Sequence, residues 1–107
     1  IVTGARQLGK TTMLKQVYQN LENRGQKAYY FTLEAPDILH LLNEHPENLF
    51  KLLPKPETEK VFLLIDEVQY LANPTNFLKY HYDLYKDRLK IIATGSSAFY
   101  IDSNFKD

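Results

Sequence analysis

The segment Gly4-Ala5-Arg6-Gln7-Leu8-Gly9-Lys10-Thr11 constrains this chain more than any other. It fits G-x-x-x-x-G-K-[ST], the pattern of a loop whose backbone N–H groups surround nucleotide phosphates. Gly4 and Gly9 allow backbone angles and a close approach that a side chain would block. Lys10 sets a compact cation against the β- and γ-phosphates, and Thr11 offers a hydroxyl to Mg²⁺. Such a loop needs a strand before it and a helix after it. Ile1-Val2-Thr3 is apolar and β-branched, as a strand end should be. Beyond it, Met13, Leu14, Val17, Tyr18 and Leu21 share one helical face, and Gly25 supplies a stop. The competing account is a glycine turn that happens to precede Lys-Thr, and it explains neither flank.

A second constellation is Val61-Phe62-Leu63-Leu64-Ile65-Asp66-Glu67. Five apolar residues in a row read as a strand buried on both faces, as in a parallel sheet. Carboxylates at its end lie where open α/β sheets bind ligands. Asp66 is expected to hold Mg²⁺ through a coordinated water. Glu67 is expected to orient and deprotonate a water in line with the γ-phosphate. An ordinary strand exit into a polar loop is the bland alternative, and the phosphate loop upstream weighs against it.

A third block, Leu89-Lys90-Ile91-Ile92-Ala93-Thr94-Gly95-Ser96-Ser97, reads as another buried strand tipped with hydroxyls. A side chain there can reach the γ-phosphate or the attacking water. Ser96 is the first choice and Thr94 the second. A Gly-Ser turn without ligand contact remains open.

The alternation along the chain is βαβα(α)βαβ. The strands are 1–3, 27–33, 61–65 and about 90–94. The helices are about 10–23, 38–43 with Asp37 as N-cap, 47–53, and 75–86. The last of these carries Phe77, Leu78, His81, Leu84 and Tyr85 on one stripe. The tail, 98–107, is read as the start of a short helix. Strands alternating with helices imply a parallel sheet covered on both faces. The first and third strands must come close, either as direct neighbours or with another strand between them. If the fourth strand is the inserted one, its tip lies between the two sites.

Composition narrows the function classes. Thirteen basic and thirteen acidic residues give no net charge, so a broad nucleic-acid footprint is not supported. The 44% hydrophobic content suits one small globular domain spanning 1–107. There is no cysteine, hence no disulfide or thiolate metal site. No apolar run approaches a membrane span, and no leader is visible; a cytoplasmic location is expected. Because Ile1 already lies in a strand, the chain is expected to be cut from a longer protein at both ends. His40, His45 and His81 lack metal-ligand spacing. Glu34 and Gln69 sit near the same sheet edge, with surface roles as the competing account.

Taken together, these residues resemble AAA+ ATPases of the additional-strand P-loop group. The nearest likeness is a prokaryotic "ATP-binding protein" family with a separate C-terminal region. Its members carry a loop like Gly4 to Thr12, a strand end like Leu64-Ile65-Asp66-Glu67-Val68-Gln69, and a later Thr94-Gly95-Ser96-Ser97-Ala98. The resemblance implies a P-loop NTPase three-layer sandwich. Its sheet order 5-1-4-3-2 would leave 1-4-3-2 for the four strands present. It implies ATP with Mg²⁺ as ligands, bound by Gly4, Ala5, Arg6, Gln7, Leu8, Gly9, Lys10, Thr11 and Thr12. Thr11 and Asp66 (the Walker A and Walker B positions) would face the metal. Glu67 would be the hydrolytic base and Ser96 the first sensor, with Lys10 acting on the phosphates. A fifth strand, second sensor and lid are expected beyond Asp107. Arg6, Arg24 and Arg88 do not match an arginine-finger position, so a homo-oligomer or another protein is expected to supply one.

Three functions compete. The first is an ATPase whose hydrolysis drives conformational change in appended regions or partners. The second is a nucleotide-dependent switch with negligible turnover. The third is a P-loop phosphotransferase, for which no acceptor site stands out.

Overall fold

The computed structural model describes residues 2–4 and 7–96, with side chains over 9–95. Strands β2 (Lys27–Thr32), β3 (Val61–Asp66) and β4 (Leu89–Ser96) form a parallel sheet. The short strand β1 (Val2–Gly4) runs parallel to the outer side of β4, with Val2 opposite Thr94 and Gly4 opposite Ser96. The order across the sheet is β1-β4-β3-β2.

Successive side chains along each strand alternate between faces, and the register aligns that alternation across the sheet into two cores. Ala28, Tyr30, Phe62, Leu64 and Ile92 face helix α1 (Gln7–Asn23), packing with Leu14, Val17, Tyr18 and Leu21. Leu33, Val61, Leu63, Ile65, Leu89 and Ala93 belong to the larger core on the other face. There they meet Leu42 of α2 (Pro36–Glu44), Leu49 of a 3₁₀ segment (Pro46–Lys51), and Phe77 and Leu78 of α3 (Pro74–Tyr85). Leu63, Leu64 and Ile65 are fully buried, which is why β3 carries no polar alternation. Each such side chain contributes roughly 1.5–3 kcal/mol on leaving water.

The helix ends follow local chemistry. α1 stops in a Schellman arrangement. Gly25 N–H donates to Glu22 O and Gln26 N–H to Leu21 O, both at 3.0 Å, with Gly25 at φ 76°. Asn73 caps α3, its side chain accepting from Asn76 N at 3.1 Å, with Pro74 at the first helical position.

Some expectations need correction. α1 begins at Gln7, not near Lys10, because Gln7, Leu8 and Lys10 all favour helix. Gln7, Leu8 and Gly9 therefore lie in the first helical turn rather than in a loop. α2 begins at Pro36, so Asp37 is a first-turn acid and not the N-cap. The segment expected as a helix over 47–53 is the 3₁₀ segment. Met13 and Leu84, expected on packed stripes, are 36% and 49% exposed. At 100° per residue each falls at the edge of its stripe. The tail over 98–107 lies outside the described residues. Among the described residues, no helix is long and apolar enough to cross a membrane.

Candidate functional site

Alternation carries the α1-facing row of β3 outward from Phe62 through Leu64 to Asp66. Asp66 is therefore the polar end of an apolar row. Its carboxylate is 4% exposed and takes three hydroxyl donors from three elements. Thr11 of α1 donates to Oδ2 at 2.7 Å. Tyr30 of β2 donates to the same oxygen at 3.0 Å. Thr94 of β4 donates to Oδ1 at 2.6 Å. A buried carboxylate is costly unless it is hydrogen-bonded, and bonds to a charged acceptor are the stronger kind.

Lys10, 7% exposed, reaches across from α1 and donates to the Gly95 carbonyl on β4. The ammonium, the Thr11 hydroxyl and the Asp66 carboxylate thus meet at the C-terminal edge of the sheet. Open α/β sheets bind ligands at that edge.

β3 ends abruptly after Asp66. Glu67 takes up left-handed backbone angles (φ 61°, ψ 50°) and leads into a 3₁₀ turn, Val68–Tyr70. A side-chain-bearing residue in that region costs of order 1 kcal/mol, and such residues cluster at functional sites. Glu67 is 4% exposed, and its Oε1 accepts from the Gln69 side-chain amide. Asp66 and Glu67 are adjacent in sequence but engage separate partners.

The site suits a divalent cation. Thr11 commits its hydroxyl proton to Asp66 and keeps oxygen lone pairs for a hard ion, which prefers oxygen ligands. Among the described residues, no group of three or more His, Asp or Glu side chains could cage a metal unaided.

Of the residues expected at the site, Lys10, Thr11, Asp66 and Thr94 converge, with Glu67 next in sequence to Asp66. Thr12 is exposed on α1. Ala5 and Arg6 lie outside the described residues, as do the side chains of Gln7, Leu8 and Ser96, and Gly4 is described only as the end of β1. Arg24 is exposed beyond the end of α1. Arg88 donates to the Leu84 carbonyl and lies over the Tyr85 ring. His81 is a core residue, and Glu34 is exposed.

Tyr30 escaped the sequence reading. Burial first, then the Asp66 hydrogen bond and charge, push its phenol above the usual range. It is therefore a protonated donor at neutral pH. It lies two residues before Thr32, which pairs with Asp66, a register that the sequence does not state. A tyrosine in a buried row also needs a partner for its hydroxyl.

An AAA domain family profile matches residues 1–107. Among curated proteins, "Uncharacterized protein MJ1637" of Methanocaldococcus jannaschii is 37% identical over 109 residues. The alignment covers 92% of this chain and 21% of that relative, so the chain spans about a fifth of its length. No solved structure matches. The profile match points to nucleotide binding and, at the level of the family, to ATPase chemistry. The chain belongs to the AAA domain family.

Proposed function

We propose that this chain is a Mg²⁺-dependent ATPase core, its four strands in the 1-4-3-2 order of that architecture. The single observation carrying the reading is the meeting of Lys10, Thr11 and Asp66 at the sheet edge, with a buried Glu67 directly following. In this reading the segment Gly4–Thr12 holds the phosphates of ATP. Lys10 exchanges its bond to the Gly95 carbonyl for the β- and γ-phosphate oxygens. Thr11, through its hydroxyl oxygen, and Asp66, indirectly, would hold the metal. Mg²⁺, when bound, neutralises charge developing on the phosphoryl oxygens.

Glu67 takes a proton from a water aligned with the γ-phosphorus. The new water O–P bond forms as the bond to the β–γ bridging oxygen breaks, releasing ADP and phosphate. Ser96, at the tip of β4, senses the γ-phosphate. Turnover drives conformational change in appended regions or partners, and an arginine comes from a second copy or another protein. A cytoplasmic location fits a consumer of ATP.

One observation favours the switch reading. The Gln69 amide already holds the Glu67 carboxylate, and a base kept in that bond would leave ATP bound and intact. Calorimetry of ATP and Mg²⁺ binding to the full-length protein tests the shared core of both readings. Lys10→Ala should lower affinity about 30- to 100-fold, the scale of a charge-assisted contact. Equal affinity in the variant would remove the phosphate-binding assignment.

A further inference from the structure

We propose that Tyr30 is a positioning residue for the metal site, fixing the Asp66 carboxylate so that Thr11 presents its oxygen to the ion. The inference rests on the Mg²⁺-nucleotide reading above and extends it to a strand that carries none of the recognised motif residues.

Asp66 Oδ2 receives two donors, Thr11 at 2.7 Å and Tyr30 at 3.0 Å. A carboxylate oxygen has two lone pairs in its plane, so those donors fill it. Oδ1 receives Thr94 at 2.6 Å and, among the described residues, keeps one site for a metal-bound water. Asp66 is thereby held to an indirect role, while Thr11 keeps its lone pairs for the ion. Rotation about the terminal bond of an aspartate is soft. Thr11 and Thr94 pull from α1 and β4, and Tyr30 pulls from β2. Without the third donor, Oδ2 regains a lone pair and the carboxylate is free to turn.

The phenol is a well-anchored donor. The Tyr18 ring of α1 meets the Tyr30 ring edge-on, with centroids 6.5 Å apart. The Lys15 ammonium lies 5.9 Å from the Tyr30 centroid. Tyr30 is half-buried in the row that packs on α1. Its hydroxyl therefore arrives from a ring already fixed by packing, and holding Asp66 costs little further ordering. The same contacts tie the metal-binding carboxylate to the position of α1, which also carries Lys10 and Thr11.

The test is ADP binding to the full-length protein by calorimetry across a Mg²⁺ titration, for wild type and Tyr30→Phe. The substitution keeps the ring and its packing and removes only the hydroxyl. The Mg²⁺ concentration for half-maximal enhancement of ADP binding should rise about five- to tenfold, the scale of one hydrogen bond to a charged group. Metal-free ADP affinity should stay within twofold. A purely structural role would lower both affinities together, and that result would overturn the proposal. So would an unchanged Mg²⁺ midpoint in a variant that binds ADP like wild type. Tyr18→Leu, which loosens the ring but keeps the phenol, should move the midpoint in the same direction by less; a larger shift than Tyr30→Phe would also overturn it. Wild type showing no Mg²⁺-dependent ADP binding would instead sink the nucleotide reading itself, and this inference with it.

Discussion

Thr94 donates its buried hydroxyl to Asp66 Oδ1 at 2.6 Å, joining the ends of two neighbouring parallel strands 28 residues apart in sequence. Both groups are almost wholly buried. Thr94→Val keeps the shape and removes the donor, leaving a buried carboxylate with two donors in place of three. The expected loss is about 1–2 kcal/mol, seen as a lower urea midpoint for the domain with an unchanged slope. Thr94→Ser should recover most of it. An unaltered midpoint in Thr94→Val would mean that the bond contributes nothing to the fold.

Gly25 closes α1 at φ 76°, and a Cβ built there meets nothing within 4 Å. Any cost of Gly25→Ala is therefore one of backbone conformation, about 1 kcal/mol. Thermal melting should show a drop of a few degrees with no change in nucleotide binding. A larger loss would point to a steric contact that the geometry lacks.

His81 gives a pH signature. It is fully buried on α3, and its Nε2 donates to the Pro46 carbonyl at 2.9 Å. Its Nδ1 is buried with no hydrogen-bond partner among the described residues. Phe50, Phe77, Tyr80 and Tyr85 crowd the ring, and the Glu47 carboxylate and His45 stand near it. Burial holds the imidazole neutral and lowers its pKa to about 4, against partial opposition from Pro46 and Glu47. The unfolded chain takes up a proton as pH falls through about 6.5, while the folded chain does so only near 4. The folded state thus has its full His81 contribution above pH 6.5 and loses up to roughly 3 kcal/mol of it by pH 4. His81→Phe should remove that part of the slope, and subtracting its stability curve from wild type isolates the effect. Parallel curves would show that folding leaves the His81 pKa unchanged.

Motifs read from consecutive residues survived contact with the structure better than features that depend on register. The apolar run before Asp66 announces a strand buried on both faces, and β3 is that strand. The helix after Lys10 and its stop at Gly25 were equally legible, because periodicity and a left-handed terminus are local properties. The start of α1 was not, since the glycine-lysine motif suggests a loop where the helix propensities of Gln7 and Leu8 prevail. Tyr30 was invisible for another reason. Its role depends on which strand lies beside β3 and in what register, and neither is written in β2 alone. Thr94 and Ser96 are both hydroxyl residues near the end of one strand, so composition could not rank them. Packing against Asp66 engages Thr94, while the Ser96 side chain lies outside the described residues. His81 was legible as a member of an apolar stripe, but its one unpartnered nitrogen was not.

The most direct measurement is steady-state ATP hydrolysis by the full-length protein with Mg²⁺, comparing wild type with Glu67→Gln, alongside ATP binding by both. Glu67 is buried at the end of β3, in left-handed backbone geometry, directly after the buried Asp66. Removing a general base typically costs 10²- to 10⁴-fold in rate. The account predicts turnover by wild type, at least a hundredfold loss in Glu67→Gln, and ATP affinity kept within a few-fold. Equal turnover by the two proteins would contradict the assignment of Glu67 as the base.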